Sequence, residues 1–375
     1  MKVLHVGKFY PPHMGGMETH LADLCSELRH AVNLKVVVAG DPDRKIEIAD
    51  GIHVTRLQVA ATFASTPFCR GMIDEIRTSN ADVVHVHWPN PAAVLAFLAS
   101  GNRGSLVVTY HSDILRHRLL GSLFEPILHR FLSRSEAILV TSQLYLDSSP
   151  VLRKHRDRCH VVPLGIRVSE FASCDPQLIA KIRRQHGERI LLAVGRHVYY
   201  KGFRYLIEAM SSIDAKLLII GGGPLQDELK ELAVRNGVGD KITFLGNVPD
   251  AIPYYHACDL FILPSIARTE AFGLVQLEAM AAGKPVINTM LDSGVPSVSL
   301  HQVTGLTVPP KDSNALAGAV NRLLSDHDLR SRFGEAARAR AYACFDAKSM
   351  ASRTLDIYAS AAKGATTPTS LAEVG

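Results

Sequence analysis

Residues 258–289, CDLFILPSIARTEAFGLVQLEAMAAGKPVINT, hold a complete strand–helix–strand unit. CDLFILPS (258–265) carries a short, nearly unbroken apolar run, the pattern of a strand covered on both faces. A loop follows, and from about Gly273 the chain turns into a largely apolar helix with an Ala/Gly-rich end. KPVINT (284–289) is the next strand. A strand that returns through a helix to a second strand predicts a right-handed βαβ crossover and a parallel sheet.

The same alternation runs outward in both directions. RILLAVG (189–195), AKLLIIGGG (215–223) and KITFLG (241–246) precede the opening stretch as strands separated by helices. ALAGAVNRLLSD and LRSRFGEAARARAYACF follow it as helices. A second series occupies the N-terminal half: KVLHVG (2–7), LKVVVAG (34–40), HVTRL (53–57), ADVVHVHW (81–88) and SLVVTYHSD (105–113). Helices are expected near 17–30 and 67–78 and at PAAVLAFLAS. The fold class is therefore α/β, with two Rossmann-like doubly wound parallel-sheet domains facing across a cleft. The expected divisions are 1–165 for an N-terminal domain, 166–187 for a linker and 188–345 for a C-terminal domain. An amphipathic helix at 346–362 is expected to cross back to the N-terminal domain, and 363–375 is expected to be a disordered tail.

A length of 375 residues suits two cores better than one. Hydrophobic residues make up 47% and charged residues 21%, a globular balance. The excess of 41 basic over 36 acidic residues, +5, is mild, and nothing concentrates it into a stripe that would engage nucleic acid. The six cysteines are scattered without CxxC spacing, against a disulfide framework or structural zinc. MKVLHVG is too short for a signal-peptide core, and no apolar run approaches the roughly 18 residues of a membrane span. A cytoplasmic protein is expected.

Open parallel sheets bind ligands beyond the carboxyl ends of their strands, so chemistry is sought in the loops there. In PPHMGGMETH, Gly15 and Gly16 precede a helix, where bare backbone amides and the helix dipole favour an anion, although a tight turn explains them equally well. The dinucleotide pattern GxGxxG is missing after the first strand, which disfavours a nicotinamide dehydrogenase. In VGRHVYYKGF, Arg196 and Lys201 follow a strand between glycines and can converge on one diphosphate. In the opening stretch, the amides of Phe272, Gly273 and Leu274 face outward from a helix start. Glu270 lies just outside that terminus and Glu278 lies two turns in, both able to accept from sugar or ribose hydroxyls. An anion cradle with two hydroxyl acceptors describes a nucleotide-sugar site.

GRHVYYKG, GGGP, TEAFGLVQLEAMAAGKPVI and TGLTVPP resemble the retaining glycosyltransferases of the GT-B fold, family 4. GKFYPPHMGGMETHLADL resembles that family's N-terminal loop and helix, so the likeness covers nearly all of residues 1–360. HVGKFYPP with VVTYHSD is similar to bacterial mannosyl- and rhamnosyltransferases of surface polysaccharide synthesis. The resemblance implies that Arg196 and Lys201 bind the donor diphosphate and that Glu270 contacts the transferred sugar. It implies main-chain donors at Phe272, Gly273 and Leu274, a ribose contact at Glu278, and diphosphate-facing glycines at 15 and 16. His111 matches a histidine beside the transferred sugar, and Asn247 falls where the base binds. It further implies a hexosyl transfer from a nucleotide sugar, most of all a GDP-sugar, to a glycan or lipid-linked acceptor, with retention and with neither cofactor nor divalent metal. The Asp-x-Asp spacings, DPD (41–43) and DHD (326–328), read as surface chemistry. The alternatives are a UDP-sugar transferase, a nucleotide-sugar epimerase or hydrolase, and a non-catalytic sugar-nucleotide-binding subunit.

RHRLLGSLFEPILHRFLSR (116–134) interleaves Arg116, Arg118, Arg130 and Arg134 with Leu, Ile and Phe. Such a pattern lies against an anionic membrane surface or packs as an ordinary amphipathic helix. The first reading places the protein peripherally on the inner face of the plasma membrane.

Overall fold

The computed structural model describes residues 1–13, 15–40, 45–114 and 118–364. Two compact units form: Met1–Pro163 with the segment that starts at Ala347, and Leu164–Asp346. Asp41, Asp43, Arg116 and the tail from 365 lie outside the described residues.

The first unit is built on β1 (Lys2–Val6), β2 (Asn33–Gly40), β3 (Lys45–Ala49), β4 (Ile52–Phe63), β5 (Thr66–Cys69), β6 (Val83–Trp88), β7 (Ser105–Tyr110), β8 (Ser135–Val140) and β9 (Cys159–Val161). Their order is β3-β4-β2-β1-β6-β7-β8-β9, with β5 on β4. From β4 to β9 every pairing is parallel, while β3 and β5 run antiparallel to β4. The strand order reverses between β1 and β6, where Val3 pairs with both Leu34 and Val83. Both β6 and β7 are buried at every position, which explains their unbroken apolar reading.

The hairpin of β4 and β5 corrects the expected helix at 67–78, which is confined to Met72–Arg77. The outer half of β4 is exposed, so no burial pattern marks it. Its turn places Ala64 and Ser65 at φ of 47° and 63°, without the Asn-Gly chemistry that usually announces such a turn.

The second unit holds β10 (Ile190–Val194), β11 (Lys216–Ile220), β12 (Ile242–Gly246), β13 (Leu260–Leu263), β14 (Val286–Thr289) and β15 (Gly305–Val308). All pair in parallel in the order β12-β11-β10-β13-β14-β15. Strand residues alternate between two cores: Ile190, Leu192, Phe261 and Leu263 enter one, and Leu191, Ala193, Leu260 and Ile262 enter the other. That division is the physical meaning of a doubly wound sheet. The segment expected as a linker, 166–187, is built into this unit. Pro176–His186 is a helix capped by the Asp175 side chain, and its Ile182 is buried in the same core as Phe171.

The helix Ala347–Gly364 packs on the first unit, where Met350, Ala351, Tyr358 and Ala361 join the core containing Leu24 and Val107. Ser105 Oγ donates to the Ala361 carbonyl at 2.9 Å. All six cysteines are free. Among the described residues no helix is long and apolar enough to cross a membrane.

Candidate active site

The strand order of the second unit reverses between β10 and β13, and the loops leaving those two strands meet there, where open α/β sheets bind ligands. Glycines let them approach. Gly202 sits at φ 70°, and a Cβ there would stand 2.0 Å from the Pro264 carbonyl oxygen. A Cβ on Gly221 would stand 2.2 Å from the Gly195 carbonyl oxygen, and one on Gly223 would meet the His197 backbone. Ile266 N donates to Tyr200 O at 2.8 Å, fastening the two loops together.

Lys201 Nζ consequently lies 2.6 Å from Glu270 Oε2, with both side chains about 10% exposed (11% and 10%). Ser265 Oγ donates to the same oxygen at 2.9 Å. Burial alone would lower the Lys201 pKa. Glu270, with Tyr200 and Glu278 behind it, outweighs that and raises it, so the ammonium stays charged. One buried cation, one buried carboxylate and a hydroxyl thus share one point at the sheet reversal.

The helix beside them starts as the sequence suggests. Gly273 is its N-cap at φ 77°, Leu274 is its first residue, and Phe272 is buried in the core. The helix is held by a buried amide ladder: Gln276 Nε2 donates to Phe272 O at 2.7 Å, and Asn288 Nδ2 donates to Gln276 Oε1 at 3.2 Å. Thr307 Oγ1 in turn donates to Asn288 Oδ1 at 2.8 Å. Glu278, the fifth residue of the helix, accepts from Tyr255 Oη at 2.5 Å, and burial with Glu278 holds the Tyr255 hydroxyl well above its ordinary pKa. Arg196 and Asn247 are exposed, just after β10 and β12 respectively. Neither is drawn into the Lys201 cluster.

In the first unit, Gly15 is an extended N-cap (φ 173°) of the helix Gly16–Leu28, and both glycines are exposed. His111 follows β7 and is buried, its N–H donating to Trp88 O at 2.9 Å and its Nε2 lying 3.3 Å from His87 Nδ1. Burial, and secondarily His20, drive its pKa well below the ordinary imidazole value, so it is neutral. Asp113 is a brace: its carboxylate accepts from Tyr110 Oη at 2.7 Å and Ser149 Oγ at 2.9 Å. Asp326 of DHD caps the helix His327–Cys344 through Leu329 N, in keeping with a structural reading.

A family model described as "Glycosyltransferase Family 4" matches residues 14–170, and one described as "Glycosyl transferases group 1" matches 175–340. The O-antigen chain mannosyltransferase C of Escherichia coli is 31% identical over 366 residues, 96% of this chain and 98% of that protein. The chain belongs to glycosyltransferase family 4. The D-rhamnosyltransferase WbpZ of Pseudomonas aeruginosa is 33% identical over 347 residues, 91% of each chain. Among solved structures, Anabaena Alr3699/HepE in complex with UDP and glucose superposes with a TM-score of 0.80 at 22% identity, covering 96% of this chain and 100% of its own. That last likeness carries the GT-B fold alone.

Two partners in this glycosyltransferase were not legible in the sequence. Ser265 orients Glu270, and Tyr255 orients Glu278. Ser265 carries a weak signal, as a hydroxyl directly after a buried strand. Tyr255 carries none, since its helix shows only that it is apolar.

Proposed function

We propose that this glycosyltransferase moves a mannosyl or 6-deoxyhexosyl group, with retention, from a GDP-sugar to a glycan or lipid-linked acceptor in surface polysaccharide synthesis. The observation that carries the reading is the Lys201–Glu270–Ser265 cluster beside the bare start of the helix Leu274–Ala281. The mannosyl and rhamnosyl relatives support the sugar class.

In this reading Lys201 and Arg196 neutralise the donor diphosphate, and the amides of Gly273 and Leu274 accept its charge. Glu270 accepts from a hydroxyl of the transferred sugar and Glu278 from the ribose, while Asn247 lies by the base. Gly15, Gly16 and His111 are the candidate ligand contacts of the first unit. The bond from the anomeric carbon to the diphosphate breaks, and one to the acceptor oxygen forms on the same face. The acceptor's proton passes to the departing phosphate oxygen. Cations on the phosphate therefore matter more than a carboxylate pair flanking the bond, the arrangement of glycosidases. No divalent metal takes part in this transfer.

The helix Arg118–Ser133 supports a membrane-facing flank. Leu128, Phe131 and Leu132 are buried, whereas Leu123 (76% exposed), Ile127 (36%) and Arg130 follow one another along an outward stripe, with exposed Arg134 beyond. An apolar start with basic residues following is the pattern of an interfacial helix, and it would hold the enzyme beside a lipid-linked acceptor.

A thermal-shift panel of nucleoside diphosphates followed by product analysis tests the function. GDP should stabilise selectively and GDP-mannose or a GDP-deoxyhexose should be transferred. Selective stabilisation by UDP would redirect the donor, and donor turnover without an acceptor would make the enzyme a hydrolase or epimerase.

A further inference from the structure

Five buried histidines gather in the first unit: His5 on β1, His20 in the helix Gly16–Leu28, His85 and His87 on β6, and His111 after β7. The period of two along β6 puts His85 and His87 on one face, and His5 pairs with His85 in the neighbouring strand. They form two triads of potential ligand nitrogens, His5–His85–His87 and His20–His87–His111, each within 4.8 Å of one another.

The first triad is satisfied by hydrogen bonds. His5 Nδ1 meets His87 Nε2 at 3.0 Å, and Tyr358 Oη meets His5 Nε2 at 3.2 Å. His85 Nδ1 also bonds Tyr358 Oη, and its Nε2 meets Thr109 Oγ1 at 2.7 Å. The second triad is not. Neither ring nitrogen of His20 has a hydrogen-bond partner among the described residues, although the ring is buried. Buried polar atoms rarely stay unmet without a reason. The 3.3 Å between His87 Nδ1 and His111 Nε2 is long for a hydrogen bond. It equals the spacing of about 3.3 Å that two nitrogens take on a tetrahedral zinc at about 2.0–2.1 Å.

We propose that His20, His87 and His111 form a zinc-class metal site, three neutral imidazoles with the fourth position open to water or an exchangeable ligand. His87 binds through Nδ1, His111 through Nε2, and His20 through one ring nitrogen. Three imidazoles with no thiolate or carboxylate suit zinc or its cobalt substitute rather than magnesium or calcium. For His87 the surrounding network supplies the outer hydrogen bond such a ligand takes. With Nδ1 on the metal, His87 Nε2–H donates to His5 Nδ1, and His5 Nε2–H donates to the Tyr358 oxygen. The Tyr358 hydroxyl then donates to His85 Nδ1, and His85 Nε2–H donates to Thr109. Every proton is used once. The ion also withdraws His111, so zinc would inhibit transfer; that consequence rests on the role proposed for His111, whereas the site does not.

The test reads binding. Full-length enzyme stripped with EDTA should take up one Zn²⁺ per chain by calorimetry and by metal analysis after dialysis. Co²⁺ should give the intense visible bands of a four-coordinate ion. His20→Asn should weaken zinc at least a hundredfold, and His85→Asn less than tenfold, with circular dichroism confirming both folds. His20→Gln serves if the Asn variant fails to fold. Zinc uptake unchanged in the His20 variants, uptake lost only in His85→Asn, a six-coordinate cobalt spectrum, or no stoichiometric binding by wild type would each overturn the site.

Discussion

At the residue scale, Lys201 is both the proposed diphosphate cation and the counter-ion of a buried carboxylate. Lys201→Ala removes the proposed phosphate ligand and also leaves Glu270 buried without its counter-ion. Breaking a buried pair from one side costs about 3–5 kcal/mol. The variant should therefore lose transfer by a thousandfold or more and also unfold at lower urea. Lys201→Met with Glu270→Gln removes both charges and should recover most of the urea midpoint while staying inactive. Recovery of activity in that double variant would remove Lys201 from the diphosphate role. Tyr255 acts on Glu278 in the same indirect way. Tyr255→Phe should weaken nucleotide affinity several-fold, read by calorimetry, with kcat nearly unchanged.

At the scale of elements, the site exists because two loops touch at a sheet reversal, and Gly202 is the hinge of that contact. A Cβ at 2.0 Å from the Pro264 carbonyl oxygen has nowhere to go, and φ 70° is unfavourable for any other residue. Gly202→Ala should separate the loops, lowering both the melting temperature and sugar transfer. Wild-type behaviour in that variant would mean that the loop contact is dispensable. The helix Arg118–Ser133 makes a different prediction. Leu123→Ser with Arg130→Ser should reduce co-sedimentation with anionic vesicles several-fold without changing stability, because both side chains are exposed. Binding that ignores both lipid charge and these residues would leave the stripe as ordinary surface.

Across the whole molecule, the histidine cluster sets a pH limit on the metal-free enzyme. Burial lowers the pKa of His5 to about 3 and of His20 to about 4, from an ordinary 6.5. The unfolded chain therefore binds more protons than the folded one between about pH 6.5 and pH 4. Stability is complete above 6.5 and falls with pH across that window, by about 1.4 kcal/mol per pH unit for each group. Urea unfolding of EDTA-treated enzyme at pH 7.5 and 5.5 should show this loss, and equal midpoints would show that these rings are not buried neutral. Local pattern determined a good deal here: the β/α alternation, the glycine-flanked cations, and the helix that begins at Gly273, because each depends on neighbours within a few residues. The tertiary structure decided the rest. Glu270 pairs with Lys201 from another loop, Tyr255 reaches Glu278 from another helix, and five histidines meet from two strands, a helix and a loop. Those meetings depend on strand order across the sheet, which the sequence around each residue does not fix. The antiparallel hairpin at β4 and β5 escaped for the opposite reason, since an exposed strand has no buried face to leave a pattern.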